Sequence, residues 1–148
     1  MTPVEVEEYL RQHIPLSAAM GVRVLACDAG GATLSAPFAP NINHRATVFG
    51  GSASAVAILS AWTWLHFALV GTGRPARLVI MRNTVDYLAP IPGEFESRCD
   101  GVAPVEFEKF VRILARHGKA RIEVTAKLTC AGATVATFAG DYVALRIE

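Results

Sequence analysis

Between Asn41 and Ser52 the chain reads NINHRATVFGGS, a stretch dense in groups that do chemistry. Gly50-Gly51 opens an uncharged apolar run. A glycine pair at a helix start lets a ligand approach the backbone, and the unpaired N–H groups there favour negative charge. Such donors suit a carbonyl oxygen that gains charge in a tetrahedral intermediate, at roughly 3–4 kcal/mol per good donor. Asn43 both donates and accepts, so it can orient a water, and Asn41 can do so less directly. His44 can relay a proton near neutral pH. The plainer readings are Asx turns for the asparagines, a solvated loop histidine and close helix packing for the glycines. Ser52 is a poor nucleophile candidate, because Gly50-x-Ser52-x-Ser54 lacks the second glycine of a nucleophile elbow. A cap or a substrate contact suits it better.

These residues need elements to hold them. Pro3–His13 reads as an amphipathic helix with Thr2 as N-cap, Pro3 at its first position and Pro15 ending it. Gly21–Asp28 and Ala32–Phe38 alternate as a hairpin across Ala29-Gly30-Gly31. Ala39–Phe49 is a loop. Gly50–Gly71 holds no Asp, Glu, Lys or Arg, and its length approaches the ~20 residues of a membrane span. Ser52, Ser54, Ser60, Thr63 and His66, together with strands that need a buried partner, favour a core helix instead. Arg77–Leu88 is a long strand with Val79, Met81, Asn83, Val85 and Tyr87 on one side and Ile80, Arg82, Thr84, Asp86 and Leu88 on the other. Glu94–Val102 is a further strand. Pro104–His117 has helical spacing with Gly118 as its cap. Ala120–Cys130 and Thr134–Arg146 close the chain as a hairpin. Antiparallel hairpins around one uncharged helix predict an α+β fold in which a curved sheet wraps that helix.

Bulk properties exclude several classes. The 148 residues are 52% hydrophobic and 18% charged, which excludes disorder and allows one domain over 1–148. Fourteen basic and thirteen acidic residues give a formal net charge of +1, so no global field recruits nucleic acid. Three scattered cysteines, Cys27, Cys99 and Cys130, form neither a zinc pattern nor a disulfide framework, and no metal is expected. The acidic N-terminal stretch is no signal peptide, so a cytoplasmic location is expected. The apolar excess predicts a homodimer or tetramer.

With Asn43, then Phe49-Gly50-Gly51 six residues later, and Tyr87-x-x-Pro90 ending the next strand, the chain resembles hot-dog-fold thioesterases. Those commonly carry Asn followed at that spacing by His-Gly-Gly, and here Phe49 replaces the histidine. The fuller NIN-x-x-x-T-x-FGGS wording, with a Trp-bearing helix, is similar to the thioesterase-type domain at the C-terminus of YiiD-like proteins. The resemblance implies a hot-dog homodimer acting on an acyl-coenzyme A or acyl-carrier-protein thioester. It implies no cofactor beyond the coenzyme A or phosphopantetheine of the substrate. It also implies a carboxylate on the central helix nine residues after the histidine position, where this chain has Ile58.

The expected site is therefore Asn43, Gly51 and Asp86 as catalytic residues, with Asn41, His44, Thr47, Phe49, Gly50, Ser52 and Asn83 at the substrate. Asp86 is the substitute base, being the sole acid on its strand; Glu106 and Glu108 come next. The alternative is a non-catalytic acyl-binding module, which the missing helix carboxylate favours. Dehydratase chemistry would need a His paired with an acid on the helix. Lys109, Arg112, Arg116, His117, Lys119 and Arg121 form a basic stretch suited to coenzyme A phosphates or an acidic carrier, or simply to solvent.

Overall fold

A 21-residue helix with almost no polar face must be surrounded, and the strands on either side of it in sequence do so. The structure, a computed structural model, describes residues 1–147. In chain order the elements are α1 (Pro3–His13), α2 (Pro15–Ala19), β1 (Arg23–Asp28), β2 (Gly31–Ala36), a 3-10 turn (Ala39–Asn41), α3 (Gly50–Val70), β3 (Ala76–Tyr87), β4 (Phe95–Cys99), α4 (Pro104–His117), β5 (Lys119–Cys130) and β6 (Ala133–Arg146). The strands form one antiparallel sheet in the order β1-β2-β4-β5-β6-β3. α3 touches all six.

Alternation on the two longest paired strands shows which side of the sheet is the core. Ala120, Ile122, Val124, Ala126 and Leu128 on β5 are buried, as are Ala136, Phe138, Tyr142 and Ala144 on β6. They pack on Ala53, Val56, Ala57, Leu65 and Leu69 of α3. Tyr142 donates its hydroxyl to the Ile58 carbonyl at 2.6 Å, and Ser60 shares a 2.8 Å bond with Ser97 of β4. α3 is the one described helix long and apolar enough to cross a membrane, and most of that apolar stretch is packed inside the sheet.

Local rules held at several ends. Thr2 and Glu5 form a reciprocal capping box on α1, and Gly118 closes α4 at φ 74°. Others were overridden. Pro15 does not merely end α1; it occupies the first turn of α2, where its missing N–H costs nothing. β4 stops at Cys99, short of the expected Val102, and β2 stops at Ala36, short of Phe38. The faces of β3 also differ from simple alternation. A bulge makes Met81 an extra residue between Ile80, opposite Tyr142, and Arg82, opposite Asp141. Tyr142 faces the core, so Leu78 and Ile80 face α3 before the bulge and Asn83, Val85 and Tyr87 face it afterwards. Val79 and Met81 are exposed.

Candidate active site

The loop from Ala39 to Phe49 is held by side chains that satisfy its own backbone. Asn41 is buried. Its amide nitrogen donates to the carbonyls of Met20 and Pro37, each at 2.8 Å, and its backbone carbonyl accepts from Phe49 N–H at 2.7 Å. Asn43 closes the following turn. Its carboxamide oxygen accepts from the N–H groups of Arg45 at 2.8 Å and Thr47 at 3.2 Å, while its nitrogen donates to Thr47 Oγ1 at 2.8 Å. Ala46 within this turn is left-handed at φ 57°. An Ile42–Val48 bridge joins the two arms, and Val48 N–H donates to the Ile91 carbonyl at 2.9 Å. That last bond fastens the loop to the segment that follows β3.

The loop delivers the chain to the start of α3. Phe49 is the N-cap residue with extended backbone, and no side chain caps the helix. Its carbonyl accepts from Ser52 N–H at 2.9 Å and Ala53 N–H at 3.2 Å. The Gly50 and Gly51 N–H groups are thereby left as the donors with no intrahelical partner. Tyr87 crosses from β3 and donates its hydroxyl to the Gly50 carbonyl at 2.9 Å. A Cβ on Gly51 would collide with the ring of Phe49. Only glycine there lets that ring lie across the helix start.

A cleft of about 360 Å³ opens between this helix start and the strand end, lined by Thr47, Val48, Gly50, Ala53 and the Tyr87–Ile91 segment. Of the expected site residues, Thr47 and Gly50 line the cleft, while Phe49 and Gly51 are exposed outside its lining. Asn43 is not part of the lining and spends its amide on the turn. Asn41, expected at the substrate, is instead an internal post for the loop. Ser52 is half-buried with its N–H already used, and His44 is exposed without a hydrogen-bond partner among the described residues. Asn83 is on the α3 side of β3, opposite Gly140, whereas Asp86 pairs with Thr137 and points to the outer face of the sheet. Asp86 is exposed and does not line the cleft of its own chain. Tyr87, a strand-end marker in the sequence, is brought to the helix start by the bulge at Met81.

Charged groups stay away from the cleft. None of its lining residues is acidic or basic, and α3 brings none. The Ile58 side chain is half-buried. The basic residues Lys109, Arg112, Arg116, His117, Lys119 and Arg121 are exposed on α4 and β5 and line no part of it. Among the described residues no group of three His, Cys, Asp or Glu is placed to hold a metal ion. The perturbed groups lie elsewhere. Burial lowers the pKa of His66, with a smaller push from His13, and burial raises the Cys99 thiol to about 11.

The chain is similar to known proteins over nearly its whole length. The family model described as "Putative thioesterase (yiiD_Cterm)" matches residues 4–146. A Chlorobaculum tepidum protein of unknown function superposes with a TM-score of 0.93 at 26% identity, covering 99% of this chain and 98% of that one. A "putative thioesterase" from Shewanella oneidensis superposes at 0.85 and 26% identity, covering 97% and 96%. A Pseudomonas aeruginosa protein described as a probable thioesterase gives 0.82 at 21% identity, covering 98% and 97%; that likeness is one of fold.

Proposed function

The chain belongs to the "putative thioesterase (yiiD_Cterm)" family, and from that membership we propose that it hydrolyses an acyl thioester of coenzyme A or of an acyl carrier protein at the start of α3. The hot-dog architecture, with its six-stranded sheet around a central helix, is that of thioesterase relatives. The observation that carries the reading is the pair of uncommitted N–H groups at Gly50 and Gly51 beside an uncharged cleft. In the proposed step a water adds to the thioester carbonyl, forming a C–O bond. The oxygen gains charge against the Gly51 and Gly50 donors. Collapse breaks the C–S bond, and the proton released by the water goes to the departing thiolate, giving a carboxylic acid and a free thiol. Thr47 and Phe49 flank the acyl group, and Asn43 acts by holding the turn that carries them.

A second reading has a specific observation behind it. Neither α3 nor the cleft carries a carboxylate, and a general base is typically worth 10²–10⁴-fold. A chain of this fold without that base is also suited to binding an acyl thioester without cleaving it. The two are separated by incubating purified protein with acyl-coenzyme A of graded chain length and following free thiol. Thiol release above the spontaneous rate supports hydrolysis; saturable binding with no release supports the binding module.

Assembly belongs to the same proposal. β3 is an edge strand, and Ile42, Phe49, Val79, Met81, Tyr87 and Leu88 are exposed apolar residues on it or near its end. A second copy pairing along β3 covers this surface and removes the edge. The three free cysteines suit a reducing, cytoplasmic setting.

A further inference from the structure

At the opposite end of α3 lies a second and larger cleft, about 660 Å³, which shares no residue with the first. It begins at Trp64, about 20 Å along the helix from Gly51 at 1.5 Å per residue. Its volume falls within the range of small-molecule sites.

The walls are aromatic and fixed. Trp64, Phe67 and Phe107 line it, with Val6 of α1 closing one side. Trp64 Nε1 donates to the Ala29 carbonyl at 3.3 Å, and its ring meets Phe107 edge-on at 5.9 Å. Gly101, at φ 72°, makes room for that indole: a Cβ there would lie 2.8 Å from Trp64 Cζ2. The negative groups at the cleft are one exposed carboxylate and a helix end, and the Arg98 guanidinium donates to the Gly30 carbonyl of the same turn at 3.2 Å. Asp28 is the one charged side chain in the lining. One of its oxygens accepts from Gly30 N–H at 2.8 Å, which orients the carboxylate. The C-terminal end of α3, the negative end of its dipole, opens on the same space, and the last turn of that helix carries no basic residue. Arg74, beyond the Gly73 turn, is not part of the lining. Met1 also borders the cleft, with its side chain largely exposed.

Aromatic side chains, a carboxylate and a helix C-terminus around one apolar space are complementary to a cation with an apolar body. The geometry points to this cleft as a binding site for an organic ammonium compound, distinct from the thioester site and independent of its chemistry. The ammonium group sits at Asp28 and the α3 terminus, and its apolar part lies against Trp64, Phe67 and Phe107.

The test is calorimetric titration of the full chain with three probes of nearly one shape: benzylammonium, benzyl alcohol and phenylacetate. The ammonium binds at least about tenfold more tightly than the alcohol, and phenylacetate binds least. Asp28→Asn, which still accepts from Gly30 N–H, removes most of that preference. Ala68→Trp fills the cleft and abolishes binding of the ammonium and the alcohol; Phe107→Leu, a milder change, selectively weakens the ammonium. Equal affinity for the three probes, no ammonium binding at millimolar concentration, or a preference that survives Asp28→Asn overturns the assignment.

Discussion

Asn43 shows how one residue satisfies a local rule and a functional expectation by different routes. Its spacing from Gly50-Gly51 marked it as a candidate to orient water, yet its amide is committed to Arg45, Thr47 and the turn between them. The Asn43→Ala variant therefore loses stability as well as turnover. Its unfolding free energy falls by about 1–2 kcal/mol, the usual cost of stranding such bonds, and denaturant melts check this. Tyr87 is the reverse case. Its hydroxyl makes one bond at a half-open cleft, so Tyr87→Phe lowers kcat/KM by about tenfold, ~1.4 kcal/mol, with a nearly unchanged Tm. Asp86 faces away from the cleft of its own chain, and Asp86→Asn retains wild-type turnover; a collapse in kcat would return that carboxylate to the mechanism. That Thr47 and Gly50 come together at the helix start was legible because their types and spacing are local. The burial of Asn41 was not, since it depends on Met20 and Pro37 arriving from other segments.

At the scale of elements, sequence period fixed identity better than orientation. Every helix and strand that the pattern demanded is present, and the caps at Thr2 and Gly118 lie where the residue types place them. The bulge at Met81 had no sequence sign, because an extra residue in an apolar run leaves composition unchanged. It is nevertheless what turns Tyr87 toward α3 and Asp86 away. A second consequence concerns the contact between α1 and α3. His66 stacks on Trp62 at 4.5 Å and on Tyr9 at 5.2 Å, and Tyr9 stacks on His13 at 4.0 Å. Burial lowers the His66 pKa from 6.5. The sign follows from linkage: the unfolded chain binds the proton more readily, so His66 opposes folding once it must charge. Stability is full above about pH 6.5 and declines as pH falls through the lowered value. Melting curves between pH 7.5 and pH 5 check this, and His66→Gln flattens the decline.

For the whole molecule, the apolar excess in the composition finds two outlets. One is α3, whose uncharged length is consumed by the sheet around it. The other is the exposed apolar set beside the β3 edge, which the proposed dimer covers. Sedimentation of the wild type at micromolar concentration gives twice the chain mass, and Met81→Lys, a charge on that edge, shifts it toward the monomer. A wild-type monomer would remove the assembly from the account while leaving the cleft intact. Composition alone announced the surplus apolar surface; only the sheet order showed that β3, like β1, was left at a rim.

The central claim is that the start of α3 cleaves thioesters, and one kinetic comparison tests it most directly. Free-thiol release from a graded series of acyl-coenzyme A substrates is measured for wild type and for Gly51→Ala, whose added methyl meets the Phe49 ring and so disturbs the helix start proposed to hold the carbonyl oxygen. The expected result is saturable hydrolysis by the wild type, and a fall of about 10²-fold in kcat for Gly51→Ala in a protein that still folds. Wild-type release no faster than the spontaneous reaction, or equal turnover by the folded variant, would contradict it.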